Sequence, residues 1–272
     1  MSALTFRLRA VPPVSVDASV LSPHRLTGLT RAQIEALQMA LGNRSVSVAD
    51  LFEVSGDDAQ HVIVESANER LTHLGAGLQG GTLVVEGDAG AYLGLGMSAG
   101  RIGVSGNAGI FAGCEMGGGS IEIAGNAGDW LGAALPGDKQ GMRGGLIHVH
   151  GRAADRAADR MRRGLIVIER GAGAYLGARM LAGTVIVKGG IGANPGFALR
   201  RGTLLLQSPP QHLPATYNDC GRHALLFLRL LERELRARGG LEAFLPLPRT
   251  VRRYCGDMAT GGKGEILLDA TR

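Results

Sequence analysis

Short segments that alternate apolar and polar residues recur along the middle of the chain. In each segment two aliphatic residues are separated by one position, which predicts a β-strand with one buried face. The pairs are Leu83/Val85, Ile102/Val104, Ile121/Ile123, Ile147/Val149, Ile166/Ile168, Val185/Val187 and Leu204/Leu206. Alternation at Met1–Val11 likewise predicts a strand, and we interpret this segment as a strand and not as a leader peptide.

Glycine follows the same period as the aliphatic pairs. The chain has 44 glycines among 272 residues, more than twice the usual share of roughly 7%. One column consists of Gly81, Gly100, Gly119, Gly145, Gly164, Gly183 and Gly202, spaced by 19, 19, 26, 19, 19 and 19 residues. The longer interval indicates seven inserted residues around Pro136–Gly141. A 19-residue unit is too short for a helix pair and fits three short strands joined by corners.

This period predicts an all-β fold. We expect a right-handed parallel β-helix of about seven 19-residue coils, since a left-handed helix of strict hexapeptides would repeat at about 18 residues. A small α/β flank is predicted at residues 1–60, the β-helix at 61–207, and a helical flank and tail at 208–272. Within the β-helix, His61–Leu78 is interpreted as a degenerate first coil.

Two further columns predict side-chain stacking inside the repeats. One column contains Met97, Met116, Met142, Met161, Met180 and Leu199, and the other contains Tyr92, Phe111, Trp130 and Tyr175. Matching positions of successive coils lie on top of each other, so we interpret the first column as core and the second as an aromatic stack. Neither column is interpreted as a ligand site.

The flanks contain helix signals. Thr30 is predicted to cap a helix that runs to Leu41 and stops at Gly42-Asn43, while Val46–Val54 is predicted as a strand or short helix. A second helix is predicted over Gly221–Arg238. The outward positions of the repeat strands become apolar towards the C-terminal end, at Val167, Ile186 and Leu205. We expect the C-terminal helix, or alternatively a partner subunit, to cover them.

Positive charge is concentrated in one part of the chain. The formal net charge is +5, while residues 143–201 contain eleven basic and three acidic residues. Columns next to one corner predict a basic surface formed by Arg143, Arg160, Arg162, Arg163, Arg179, Arg200 and Arg201. Arginine pairs carboxylates bidentately, so an acidic partner or a polyanionic ligand is one interpretation and a solvated corner is the other. Only two aromatic residues, Tyr175 and Phe197, are interleaved with these basic residues, which argues against nucleic acid.

The spacing of reactive side chains predicts no catalytic residues. The carboxylates of the repeat fall in different columns, so no acid pair is expected, and the Gly-x-Gly sequences are interpreted as corners rather than phosphate loops. His148 and His150 project to one side of a strand. A two-ligand metal site is one interpretation, and the favoured one is a pair whose hydrogen bonds are satisfied at a surface or an interface. Three cysteines without a CxxC pair predict a reduced setting and no cysteine metal site, and no apolar run reaches the length of a membrane span. No metal ligand is therefore assigned.

Three stretches of the sequence resemble a known family. They are Asp50-Leu51-Phe52-Glu53-Val54, the repeats with their Gly-Asn/Asp-Ala-Gly turns, and Arg253-Tyr254-Cys255-Gly256-Asp257 followed by Gly261–Leu267. Together they resemble the C-subunit of formylmethanofuran dehydrogenase over nearly the whole chain. The repeat also resembles the GxGxG β-helix at the C-terminus of the glutamate synthase large subunit. The arginine-rich, lysine-poor composition favours the bacterial form, the formyltransferase/hydrolase complex of methylotrophs.

The resemblance implies a non-catalytic structural subunit of a cytoplasmic enzyme complex in one-carbon metabolism. Such a complex transfers a formyl group from formyl-tetrahydromethanopterin to a methanofuran-like carrier, such as methylofuran, and hydrolyses it to formate. Its metal is held in another subunit, and we expect no cofactor in this one. The expected partners are an amidohydrolase-like hydrolase, a formyltransferase and a dehydrogenase-derived subunit, with the polyglutamate tail of the carrier as a ligand of the arginines. Neither nucleic acid nor a membrane is an expected partner.

Three alternatives to this function stay open at the level of the sequence. The chain resembles the C-subunit of an archaeal-type formylmethanofuran dehydrogenase, which reduces CO2 at a tungsten or molybdenum pterin in another subunit. It also resembles a stand-alone glutamate-synthase-like domain. The third alternative is an enzyme that uses the outer face of the β-helix around His148 and His150.

Overall fold

The alternating pairs form strands that lie beside the equivalent strand of the next repeat. In the computed structural model, which describes residues 2–270, Ile102 lies opposite Ile121 and Ile121 lies opposite Ile147 in parallel pairing. The offset between paired residues is therefore 19 positions, and it becomes 26 across the insertion. Within residues 2–270 the molecule is mostly β, and its largest sheet has thirteen strands.

The strands and helices have the following bounds. The N-terminal part contains β1 (Ala3–Leu8), β2 (Val16–Asp17), α1 (Pro23–Leu26), α2 (Arg31–Glu35), β3 (Gln38–Leu41), β4 (Arg44–Ser47), α3 (Val48–Leu51) and β5 (Phe52–Ser55). The repeats contain β6 (Asp58–Ala67), β7 (Leu71–Thr72), β8 (Gln79–Gly87), β9 (Ala99–Val104), β10 (Ser120–Ile123), β11 (Arg143–Val149), β12 (Arg152–Ala153), β13 (Arg163–Ile168), β14 (Gly171–Ala172), β15 (Thr184–Val187), β16 (Gly190–Ile191) and β17 (Thr203–Leu206). The C-terminal part contains β18 (Asn218–His223), α4 (Leu226–Arg238), β19 (Val251–Gly256) and β20 (Gly264–Asp269), with short 3-10 helices at Glu242–Phe244 and Met258–Thr260.

Glycine allows the repeats to stack closely. Gly100 has a backbone φ of +92°, and a Cβ atom placed there would lie 2.7 Å from the carbonyl oxygen of Gly81 in the preceding repeat. Any larger residue would push the two backbones apart. The predicted methionine column is confirmed as core, since the side chains of Met97, Met116, Met142, Met161, Met180 and Leu199 are fully buried.

The aromatic column is also confirmed as a stack. The ring centroids of Tyr92 and Phe111 are 5.3 Å apart with nearly parallel planes, and those of Phe111 and Trp130 are 5.9 Å apart. His73 extends the stack at its N-terminal end, 4.7 Å from Tyr92. The column therefore stabilises a corner of the repeats and leaves no aromatic surface for a planar ligand between these rings.

Antiparallel strands extend both ends of the repeat stack. At the N-terminal end β1 pairs in parallel with β6 and antiparallel with β5, and β6 pairs in parallel with β8. At the C-terminal end β20 pairs in parallel with β17 and antiparallel with β19, which in turn pairs with β18. The backbone edges of the terminal repeats are thus hydrogen-bonded within the chain.

The C-terminal helix covers the outward apolar face, as the sequence predicts. Leu228 and Leu235 of α4 share a buried cluster with Val167, Ile186 and Leu205. The strands in this half of the sheet are therefore buried on both faces, which explains their continuous apolar runs. No helix between residues 2 and 270 combines the length and the apolar character needed to cross a bilayer.

Two helix predictions are wrong in their extent. Thr30 does cap α2, and its side chain exchanges hydrogen bonds with Gln33, but the helix ends at Glu35 and Gln38–Leu41 is a strand. That strand pairs with β4 across the turn at Gly42, and the hairpin places Met39 in the core. The segment predicted as strand or helix at 46–54 contains both in turn.

The C-terminal helix begins at Leu226, later than the predicted start at Gly221. Residues Asn218–His223 form β18 instead, because pairing with β19 satisfies their backbone groups. Long-range pairing therefore overrides the local helical pattern at this end, as it does at Gln38–Leu41.

Candidate functional site: an arginine face and a histidine–carboxylate cluster

The structure divides the seven predicted arginines into two groups. Arg143, Arg162, Arg163, Arg200 and Arg201 are exposed, and we call these five residues the arginine face. Arg160 and Arg179 are half-buried and belong to an internal ion-pair network. The sequence pattern predicts all seven at one corner and does not distinguish the exposed arginines from those in internal ion pairs.

Asp159 accounts for the second group. Its carboxylate is buried, with 1% of the side chain exposed, and it accepts a hydrogen bond from Nε of Arg179 at 3.0 Å. Nη1 of Arg156 and Nε of Arg160 lie 3.5 and 3.9 Å from its oxygens. Burial of a carboxylate is unfavourable unless cations compensate it, so these three arginines primarily balance Asp159. They are therefore poorly placed to bind an external anion.

Arg156 also occupies the aromatic column. Its guanidinium lies 4.9 Å from the ring centroid of Trp130 and 4.8 Å from that of Tyr175. A guanidinium between two rings gains cation–π contact and continues the stack where the repeat lacks an aromatic residue. Arg156 is not among the seven arginines that the sequence predicts for the basic surface. In the sequence, Arg156 occupies the position of the aromatic column between Trp130 and Tyr175, and this position indicates that its side chain continues the stack.

The arginine face has few internal partners. Arg143 donates from Nη2 to the carbonyl oxygen of Glu115 at 3.3 Å and lies opposite Arg163 in the parallel pairing of β11 and β13. In the part of the chain from 2 to 270, no carboxylate lies within ion-pair distance of Arg162, Arg163, Arg200 or Arg201. Adjacent like charges without counterions favour binding of an anion.

The insertion lies beside this face and brings two carboxylates together. Arg160 donates from Nη1 to the carbonyl oxygen of Asp138 at 2.8 Å, and the amide of Leu135 contacts Glu115. Burial raises the pKa of Glu115, and a hydrogen bond shared with the Asp138 side chain raises it further. Glu115 and Asp138 lie close together although they fall in different columns, because the inserted loop lies outside the repeat columns.

A second convergence forms around the two histidines that the sequence singled out. His148 of β11 lies opposite Glu122 of β10, and His150 is two residues further along the same face. Nε2 of His150 is 3.1 Å from Glu122 Oε1, and its Nδ1 is 2.8 Å from Glu169 Oε1. The same Glu169 oxygen lies 3.0 Å from Nε2 of His148.

The histidine–carboxylate cluster is defined as Glu122, His148, His150 and Glu169. Both histidines are satisfied by hydrogen bonds, as the favoured interpretation predicts, and their partners are the carboxylates of Glu122 and Glu169. His150 and Glu169 are 19 residues apart and share a column, whereas His148–Glu169 and His150–Glu122 are diagonal contacts between repeats, which the columns do not show. His148 is buried against Phe244, with 5.8 Å between ring centroids, and burial together with neighbouring His150 lowers its pKa. The neutral imidazole is thereby favoured.

Known proteins share this architecture. No protein-family model matches the sequence. The C-subunit of the formyltransferase/hydrolase complex of Methylorubrum extorquens is 42% identical over 86 residues, which are 32% of this chain and 32% of that protein. The C-subunit of the tungsten-containing formylmethanofuran dehydrogenase 2 of Methanococcus maripaludis is 29% identical over 94 residues, 34% of this chain and 35% of the other. The matched segments thus span about a third of these curated relatives.

The similarity to a solved structure extends over the whole chain. A chain of the Methylorubrum extorquens formyltransferase/hydrolase complex, crystallised with methylofuran, superposes with a TM-score of 0.92 and 40% identity. The superposition covers 98% of this chain and 99% of that chain. The present chain belongs to the C-subunit family of formyltransferase/hydrolase complexes, to which the C-subunit of formylmethanofuran dehydrogenase is related.

Proposed function

We propose that this chain is the structural C-subunit of a formyltransferase/hydrolase complex in one-carbon metabolism. The observation that carries the proposal is the 40% identity over 98% of the chain with a subunit of such a complex. The complex transfers a formyl group from formyl-tetrahydromethanopterin to a methanofuran-like carrier and hydrolyses it to formate. We place it in the cytoplasm.

In this assignment the chain supplies a rigid surface rather than reacting groups. We propose a right-handed parallel β-helix of about seven coils, which the regular 19-residue offsets of the parallel pairs support. Residues 61–207 would form the β-helix, and residues 1–60 and 208–272 its two flanks. The amidohydrolase-like, formyltransferase and dehydrogenase-derived partners would hold the metal and bind the pterin and carrier head groups.

The arginine face is the contact that we assign to the carrier's polyglutamate tail or to an acidic partner surface. Its support is the absence of carboxylate partners within residues 2–270 for Arg162, Arg163, Arg200 and Arg201. Guanidinium groups in adjacent repeats match the repeated carboxylates of such a tail. Arg160 and Arg179 are excluded from this contact because they compensate Asp159.

Affinity purification of the full chain from its native source tests the assembly. Recovery of an amidohydrolase-like protein and a formyltransferase in stable stoichiometry is the expected result. Recovery of flavin-containing and glutaminase proteins instead would support the glutamate-synthase-like alternative. Purification of the chain alone, with no loss of formyl transfer on its deletion, would refute the assignment.

Substitution of the exposed arginines tests their role in the intact complex. We expect R162S/R200S/R201S to raise the KM for the carrier or to weaken assembly, and size-exclusion chromatography separates the two effects. Arg70, an exposed arginine on another part of the surface, provides the control R70S. An unchanged KM in a fully assembled triple variant would leave the arginine face as a solvated surface.

A further inference from the structure

The histidine–carboxylate cluster has the donor set of a metal site. Glu122, His148 and His150 each offer one ligand atom, and these atoms all lie within 4.8 Å of one another. Ligands of a tetrahedral ion bound at about 2.0–2.2 Å are separated by about 3.4 Å. Reaching that spacing requires the half-exposed side chains of Glu122 and His150 to rotate towards buried His148. We infer that Glu122, His148 and His150 bind one divalent transition-metal ion of the zinc class, and that Glu169 positions His150.

The chemistry of the donors selects the class of ion. Two imidazoles and a carboxylate suit Zn²⁺ and similar borderline cations, whereas Ca²⁺ and Mg²⁺ prefer oxygen ligands alone. The two carboxylates of the cluster also supply the negative charge that a divalent cation requires. The guanidinium of Arg101 also lies near Glu122, with 3.9 Å between its Nη2 and Oε2 of the carboxylate. His150 contacts the other carboxylate oxygen, Oε1.

Glu169 has the geometry of a positioning residue. Its carboxylate lies 2.8 Å from Nδ1 of His150, while Nε2 of the same ring faces Glu122. A carboxylate that accepts a hydrogen bond from one ring nitrogen orients the other nitrogen towards the metal and increases its basicity. The arrangement of Glu169, His150 and the proposed ion is therefore a carboxylate–histidine–metal relay.

The surroundings hold one donor rigidly and leave the others accessible. His148 has 4% of its side chain exposed, whereas Glu122 has 44% and His150 has 37%. A groove of about 390 Å³ adjoins Glu122 and His148, and it is also lined by Arg101 and Arg238. A metal with three protein ligands keeps a fourth position for water or a small anion, and this groove gives such ligands a route to the ion.

Cobalt titration of the tag-free, EDTA-treated full chain tests the site. Tetrahedral Co²⁺ absorbs visible light more strongly than the hydrated ion, and Zn²⁺ should displace it. We expect one Co²⁺ per chain, with binding weakened at least about tenfold in E122Q and in H150Q. Glu122 and His150 are half-exposed, so both variants should fold, and circular dichroism checks this. His61 pairs with Asp58 at 2.7 Å, and no third donor completes a metal-binding group there within residues 2–270, so H61Q provides the matched control.

Four outcomes decide the proposal. Saturation at one equivalent in the wild type and H61Q, with loss in E122Q and H150Q, supports it. E169Q should weaken binding by about 10–100-fold with an unchanged cobalt spectrum, because the ligands stay the same and only their orientation is lost. Equal cobalt affinity of the wild type and the E122Q/H150Q double variant would overturn the site. An unchanged affinity in E169Q would overturn the positioning role.

Discussion

Arg179 bonds to both carboxylate oxygens of Asp159 across two successive repeats, with 3.0 Å between Nε and Oδ1. Asp159 is buried, and its backbone carbonyl accepts the amide of Ala134 next to the insertion. The pair therefore connects the repeat that follows the insertion to the next one. It also engages Nε and Nη2 of Arg179 inside the chain, so these donors do not face an external ligand.

Loss of this pair should destabilise the fold. We expect R179A to lower the free energy of unfolding by about 2 kcal/mol, less than the roughly 3–5 kcal/mol for an uncompensated buried charge, because Arg156 and Arg160 remain near Asp159. Urea denaturation measures the change. R162A, at an exposed position, should stay within about 0.5 kcal/mol of the wild type. Equal decreases in the free energy of unfolding of R179A and R162A would mean that the Arg179–Asp159 pair does not contribute to stability.

Two glycines separate the effect of close stacking from that of backbone strain. Gly100 and Gly137 both have positive φ, at +92° and +95°, but a Cβ at Gly137 would meet no atom within 4 Å. We expect G100A to cost about 1–3 kcal/mol more than G137A, because its methyl group would overlap the backbone of the preceding repeat. Thermal unfolding of the two variants measures the difference, and similar melting temperatures would contradict the steric account.

The raised pKa of Glu115 predicts a pH-dependent stability. The native state keeps this proton at pH values where the unfolded chain, with an ordinary pKa of 4.5, has released it. Stability should therefore decrease as the pH rises from 4.5 through the pKa of the folded state, and the loss is complete above it. E115Q should remove this part of the decrease, so that its stability relative to the wild type rises with pH over that window.

Denaturation curves at a series of pH values test the Glu115 prediction. E86Q, at an exposed glutamate elsewhere in the repeats, corrects for the loss of a surface charge. A stability difference between E115Q and the wild type that does not vary with pH would show that the Glu115–Asp138 contact does not perturb the titration.

Cys114 and Cys220 should differ in their reactivity towards an alkylating reagent. Burial raises the pKa of the Cys114 thiol to about 12, and its Sγ donates to the carbonyl oxygen of Trp130 at 3.1 Å. Cys220 is exposed. Because the thiolate is the nucleophile, iodoacetamide at neutral pH should modify Cys220 first and Cys114 only after unfolding. Mass spectrometry locates the label, and C220S should abolish the fast phase whereas C114S should not. Rapid native labelling of Cys114 would contradict its buried placement.

Much of the repeat was predictable because its signals are local and periodic. The alternation at Ile102 and Ile121 identified strands, and the glycine interval indicated the offset with which they pair. Burial of Val167 and Ile186 under the C-terminal helix was also predictable, because an apolar outward face must be covered. The helix boundaries were less predictable, since Gln38–Leu41 and Asn218–His223 become strands through partners distant in sequence.

The 19-residue register, the buried methionine column and the corner at which the arginines gather all follow from the order of residues along the chain. Each depends on identical positions in successive repeats, which backbone pairing places together. The folded arrangement alone determines which arginines are engaged and which charged groups meet. Asp159 and Arg179 are 20 residues apart, and His150 and Glu122 are 28 apart across the insertion. Neither pair occupies one column, so lateral side-chain reach, rather than the repeat itself, brings these groups into contact.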